Sequence, residues 1–176
     1  MPRMGKMLLR AQRWSVPAEF EGGLTVRNIR REDLPVLLTF CKAHARLEQT
    51  TFDPASKLER WSQSLLDPEL GIHCWMLEFE GQLIGYASLM RQFSTWDADF
   101  YLYLDCLYVE ANFRGRGFGA EVMQVIKDYA QKWNYPVIQW QTPSFNHGAI
   151  AFYKRLGAES KTKERFFWKL DKSCKY

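Results

Sequence analysis

Two arginines and three glycines alternate in FRGRGFGAEVMQ, residues 113–124, and a helical pattern begins before the glycines end. The first turn of a helix leaves backbone N–H groups without partners and carries partial positive charge. Glycines let such a backbone approach a phosphate closely. Arg114 and Arg116 place fixed cations beside it. Arg114, Gly115, Arg116, Gly117, Phe118, Gly119 and Ala120 therefore read as a cradle for pyrophosphate. A dinucleotide-binding fold asks for GxGxxG and an acid ending the next strand. Here the spacing is GxGxG and YPVIQWQT ends without an acid. The GxxxxGK[ST] loop of the nucleotide triphosphatases is absent. The plain alternative is a tight strand-to-helix turn whose glycines serve geometry only.

Asp105 is the second residue with chemical potential. It stands mid-strand in FYLYLDCLYVE, residues 100–110, where a charge is costly unless paired or used. Strand alternation puts it on one face with Leu107 and Val109. It reads either as a general base or as a structural hydrogen-bond partner, with Glu48 and Glu110 as lesser base candidates. Glu48, Phe52, Asp53, Trp96, Asp97 and Asp99 mix acids with aromatics, a mix that suits an organic cation as well as an ordinary wet loop. The cysteines, Cys41, Cys74, Cys106 and Cys174, form no CxxC pair. His44 follows Cys41 by three residues without a second such pair, so no metal site is expected. The thiols read as free, buried groups of a reducing cytosol, and Cys106 as a small core residue. His44 and His147 read as surface or helix-end residues.

These groups need elements to position them. LTVRNIR, residues 24–30, alternates like a strand. A helix follows, with Asp33 as its N-cap, Pro35 in its first turn, and Val36, Leu37, Phe40 and Leu47 as its apolar stripe. A second helix spans about Lys57 to Leu66 and stops at Asp67-Pro68. A hairpin turning at Glu80-Gly81 comes next, then the long strand, the glycine-rich turn and a helix over residues 119–133. The strand YPVIQWQT, a helix over NHGAIAFYKRL ended by Gly157, and one or two closing strands in GAES and ERFFWKLD complete the order. Strands paired as a meander early and as a βαβ unit late imply an α+β (α/β mixed sheet) chain.

With 176 residues the chain can bury the core of one domain. The net charge of +4 is partly concentrated in Arg3, Lys6, Arg10 and Arg13, leaving the rest near balance, so no nucleic-acid footprint is expected. No apolar run approaches the ~20 residues of a membrane span, so no membrane partner is expected. The basic N-terminus lacks a signal-peptide core, and residues 1–23 read as an extension.

RGRGFGA, Arg114 to Ala120, resembles the [Q/R]-x-x-G-x-[G/A] signature of the GNAT superfamily of N-acyltransferases. NHGAIAFYKRLGA matches its N-x-x-A-x-x-x-Y-x-x-x-G pattern through Asn146, Ala149, Tyr153 and Gly157. The resemblance covers residues 24 to 170 or so, and leans toward the polyamine (diamine) acetyltransferases and similar small-amine enzymes. It implies a single domain over residues 24–172. It also implies a central mixed, largely antiparallel sheet of about six to seven strands, splayed at the cofactor site and flanked by about four helices. Acetyl-CoA would be the acyl donor, its pantetheine paired with backbone of Leu107, Tyr108 and Val109 and its pyrophosphate on Arg114 to Ala120. Asn146, Ala149 and Phe152 would border the pantetheine. Tyr153 would protonate the leaving thiolate, Asp105 would act as base directly or through water, and Glu48, Trp96 and Asp97 would line the acceptor pocket. The implied partners are a small-molecule amine and, by family analogy, a second copy in a homodimer; the implied location is cytoplasmic. A peptide acceptor, or a non-catalytic CoA sensor on the same fold, are the competing readings.

Overall fold

The computed structural model describes residues 17–20 and 22–168. The extension expected over residues 1–23 lies largely outside the described residues. Within it, Pro17–Glu19 form a short strand (β1), too brief to show a period, that pairs antiparallel with Leu24–Asn28 (β2). The chain divides into two compact units between Pro143 and Ser144.

The first unit holds a six-stranded sheet in sequential order, β1 to β6. Ile72–Phe79 (β3) and Gln82–Ser94 (β4) form the expected hairpin. Its turn residues, Glu80 and Gly81, both have positive φ, as a two-residue hairpin turn matching the strand twist requires. Asp99–Val109 (β5) pairs antiparallel with β4. Ile138–Trp140 (β6) pairs parallel with Leu102 to Leu104 of β5. The mixed, largely antiparallel sheet matches expectation, although YPVIQWQT supplies only three strand residues.

Leu34–Leu47 (α1) and Lys57–Ser64 (α2) lie between β2 and β3 in the chain, and Phe118–Lys132 (α3) between β5 and β6. A core cluster joins Leu34, Leu37 and Phe40 of α1 to Cys74 and Met76 of β3, Tyr86 of β4 and Tyr108 of β5. Alternate residues of β3 meet the other layer: Trp75 stands edge-on to Tyr129 of α3, and the His73 ring nitrogen shares a 2.9 Å hydrogen bond with the Tyr129 hydroxyl. α3 earns its place through Phe118, Val122, Met123, Ile126 and Tyr129, all buried at helical spacing. Burying each such side chain stabilises by roughly 1.5–3 kcal/mol.

Three details correct the sequence reading. Asp33 precedes α1 as expected, but its side chain does not cap the helix. It is buried and accepts from Arg27 Nη1 at 2.7 Å, Arg27 Nη2 at 2.9 Å and the Arg30 amide at 2.7 Å. Leu47, assigned to the apolar stripe of α1, is 44% exposed. The position that continues the stripe from Leu37 and Phe40 is His44, seven and four residues on.

In the second unit, His147–Arg155 (α4) begins after Asn146, whose Oδ1 accepts from the Ala149 amide at 3.1 Å. The closing strands expected in GAES and ERFFWKLD are not formed over residues 158–168, and the remainder lies outside the described residues. Among the described residues no helix is long and apolar enough to cross a membrane.

Candidate active site

The last five residues of β5 are where the sheet opens. Pairing with β6 ends at Leu104 and Trp140, while pairing with β4 continues to Val109 opposite Gly85. Among the described residues, the edge of Asp105 to Val109 that would face β6 therefore has no strand beside it. This is the splay expected of the fold. An extended ligand carrying amides can add to such an edge as a strand would.

Beyond Val109 the chain makes one 3-10 turn, Ala111–Phe113, and enters the glycine-rich segment. Gly115 and Gly117 adopt φ of 76° and 92°, left-handed values that side chains with a Cβ adopt only at a cost. α3 starts at Phe118 with Gly117 as its N-cap. The Gly117 carbonyl accepts from the amides of Ala120 at 2.8 Å and Glu121 at 3.2 Å. The amides from Gly115 to Gly119 find no backbone acceptor among the described residues. An unengaged run of amides at the positive end of a 15-residue helix is an anion site in form. The two arginines differ. Arg114 Nε donates to the Val109 carbonyl at 2.7 Å and lies over the Tyr108 ring, which ties the turn to the strand end. Arg116 lies over the rings of Phe79 and Phe113 at 5.5 and 5.7 Å.

Asp105 occupies an irregularity that alternation does not foresee. Leu104 pairs with Leu89 and Cys106 with Ser88, so Asp105 is the extra residue of a β-bulge. A bulge reverses the faces of everything beyond it. Cys106 and Tyr108 thus join Tyr86 on the α1 side, while Leu107 pairs with Ala87 and Val109 with Gly85. Asp105 does not simply share the face of Leu107 and Val109. Its Oδ2 lies 3.5 Å from Ser88 Oγ and 3.7 Å from Cys106 Sγ, both donors on the α1 side, and the residue is solvent-exposed.

On that side His44 completes a polar cluster that the sequence reading had placed at the surface. Its Nδ1 is 3.0 Å from the Tyr86 hydroxyl, its Nε2 is 3.6 Å from Glu48 Oε1, and its ring centroid is 5.5 Å from that of Tyr108. Burial holds the imidazole below its usual range, with the Arg114 charge acting the same way and Glu48 and Asp105 opposing it. The Tyr86 phenol is held well above its usual range by burial and also contacts Cys41 and Cys106. Burial pushes the Cys106 thiol up to about 12, with Asp105 adding to the effect. Burial raises Cys41 and Cys74 as well. The thiols here are neutral, hydrogen-bonding groups. The signal that would have found His44 is its place on the apolar stripe, four residues before Glu48.

The other candidate residues are placed differently. Trp96 and Asp97 sit in the β4–β5 connection, at the opposite end of β5 from Leu107, roughly 25 Å of strand away. Trp96 is 95% exposed, and Asp97 Oδ2 accepts from Ser94 Oγ at 2.6 Å. In the second unit, Phe152 and Tyr153 of α4 have ring centroids 5.0 Å apart. Among the described residues no cluster of three or more His, Cys, Asp or Glu is placed to hold a metal.

Comparison with known proteins agrees with this architecture. A sequence profile of the Acetyltransferase (GNAT) family matches residues 26–158, and the chain belongs to that family. It is 27% identical over 139 residues to an uncharacterised N-acetyltransferase of Methanocaldococcus jannaschii, covering 78% of this chain and 61% of the relative. It is 27% identical over 111 residues to the D-amino-acid N-acetyltransferase of Saccharomyces cerevisiae, covering 61% of this chain and 62% of the relative. It is 28% identical over 80 residues to the thialysine N-epsilon-acetyltransferase of Bos taurus, covering 46% of each. The chain thus spans about three fifths or less of the length of these curated relatives. Among solved structures, the fold resembles an aminoglycoside acetyltransferase from an uncultured soil metagenomic sample, at TM-score 0.72 and 14% identity, covering 87% of this chain and 100% of that one. It also resembles an aminoglycoside N-acetyltransferase in complex with CoA, at TM-score 0.68 and 15% identity, covering 83% of this chain and 94% of that one.

Proposed function

We propose that the protein is an acetyl-CoA-dependent N-acetyltransferase that acetylates the primary amine of a small molecule by direct attack in a ternary complex. The observation that carries this reading is the edge of Asp105 to Val109 left without a strand beside it, its last carbonyl held by Arg114, followed after one 3-10 turn by the unengaged amides of the glycine-rich segment. An edge followed by an anion site fits a ligand made of an amide-bearing arm and a pyrophosphate. Leu107, Tyr108 and Val109 would hold the pantetheine of the donor, and Arg114 to Ala120 its pyrophosphate. The Leu107 amide is a candidate to polarise the thioester carbonyl. Asn146, Ala149 and Phe152 would border the pantetheine, on the strength of the N-x-x-A-x-x-x-Y spacing on α4. Tyr153 would return a proton to the departing thiolate, and Asp105 would receive the ammonium and relieve it of a proton, directly or through water. Glu48, beside His44, is the acceptor-side residue of this proposal, while Trp96 and Asp97 stand at the far end of β5 and are not part of it.

The small-amine class draws support from the yeast and bovine relatives, a D-amino-acid N-acetyltransferase and a thialysine N-epsilon-acetyltransferase. The polyamine-type branch is the narrower form of the same proposal. The test is CoA thiol release from acetyl-CoA across a panel of diamines, amino acids and a lysine-bearing peptide. Turnover with the small amines at kcat/KM well above the peptide is expected. A chain that does not bind CoA sinks the reading, and turnover confined to the peptide replaces it with the peptide acceptor. Tyr153→Phe is expected to lower kcat by roughly 100-fold or more while CoA still binds. Unchanged turnover removes the acid role.

A further inference from the structure

An amine substrate arrives mostly as ammonium, and its proton needs somewhere to stay while the nitrogen attacks. Resting on the acetyltransferase reading, we propose that His44 is the terminal proton acceptor of the reaction. The proton given up by the substrate to Asp105 or to water comes to rest on a ring nitrogen of His44.

The surroundings select this residue. Three groups contact the imidazole, Glu48 just past α1, Tyr86 from β4 and Tyr108 from β5, and the charges of Asp105 on β5 and Arg114 in the glycine-rich turn also act on it. Tyr86, with its phenol proton held, shares a 3.0 Å hydrogen bond with Nδ1 that fixes the ring; in the tautomer in which Nδ1–H donates to that hydroxyl, the lone pair that takes the proton is at Nε2. Glu48 lies at Nε2, where a carboxylate stabilises an imidazolium as it forms and offers the proton a way out to solvent. The remaining ionisable groups of the cluster are poor acceptors: the thiols of Cys41 and Cys106 stay protonated, and Arg114 is a permanent cation. Burial keeps His44 neutral, and therefore ready, at pH 7. Tyr108 ties the ring to the strand end, since its side chain packs on His44 and its chain neighbours Leu107 and Val109 belong to the segment that β6 leaves unpaired.

The balance is simple. R–NH3+ loses H+ to His44, giving R–NH2 and imidazolium. The nitrogen lone pair forms the C–N bond, the C–S bond breaks, and the second nitrogen proton replaces the one delivered to the thiolate. Amide, CoA thiol and one proton on His44 result, and that proton leaves to water.

The test is the pH profile of kcat/KM for the best amine, from pH 5 to 9, in the wild-type chain, His44→Gln and His44→Ala. Wild type should fall off below an apparent pKa lying under 6.5, because the imidazole must be neutral. His44→Gln should lose roughly 100-fold at pH 7, keep its affinity for CoA, and gain rate steadily with pH as the amine deprotonates unaided. His44→Ala should be rescued by added imidazole in proportion to its neutral fraction. A wild-type profile in His44→Gln overturns the proposal. So does a loss that is equal at every pH and not rescued, which is a structural role. Wild-type protein that acetylates an amine while either of these holds leaves the acetyltransferase reading standing and removes only His44. Wild-type protein that acetylates nothing overturns both.

Discussion

At Gly117 the backbone passes through φ 92° to start α3, and a β-branched side chain there would be strained by about 1–2 kcal/mol. Gly117→Val should weaken CoA binding at least tenfold by calorimetry, because the strain is relieved by turning the amides out of line. Equal affinity in the variant would show that the amide run is not the anion site. Asp33 illustrates a different kind of residue. Its burial opposes ionisation, but hydrogen bonds from Arg27 and the Arg30 amide outweigh burial and keep the carboxyl below its usual range. Asp33→Ala leaves Arg27 with Glu78 as its remaining carboxylate and should cost about 3 kcal/mol in denaturant unfolding. A loss below ~1 kcal/mol would mean Glu78 suffices. Single residues also mark how far the sequence could be read. The turn at Gly115 and Gly117 and the helix start after it were legible because both are written locally in the sequence. His44 was not, because its partners Tyr86 and Tyr108 stand 42 and 64 residues away and only the folded sheet brings them together.

Among elements, β4 and β5 make the site, and their approach depends on Gly85. A Cβ at Gly85 would lie 2.1 Å from the Tyr108 carbonyl oxygen, backbone that cannot move aside as a side chain can. Gly85→Ala should therefore displace the Tyr108–Val109 end of β5, lowering Tm and CoA affinity together. Preserved CoA affinity in a stably folded variant would disprove the coupling. The hairpin, the helices and the strand order were legible from alternation, turn residues and periodicity. The bulge was not: an extra residue in FYLYLDCLYV looks like any other strand residue until its partner strand sets the register. β6 shortened for a related reason, since its parallel pairing with β5 stops where the sheet opens and tertiary geometry overrides strand propensity.

For the whole molecule, two imidazoles link stability to pH. His44 and His73 are both held below 6.5, by burial. In unfolded chains they would titrate near 6.5, so between that value and their folded values the unfolded state binds more protons. Stability should then be full above pH ~7 and fall as pH drops through that window. Scanning calorimetry from pH 8 to 5 should show a falling Tm, and His73→Gln should shallow the fall; a flat wild-type Tm would contradict both directions. The open end of β5 has a consequence for measurement as well. Along a strand paired on one side only, successive amides alternate between a partner and solvent. Amide hydrogen exchange over residues 106–109, beyond the bulge, should therefore alternate slow and fast in the free protein, and the fast members should slow when CoA binds. These consecutive amides would then give a built-in count of how much of the chain's own edge the ligand covers, without labelling either molecule.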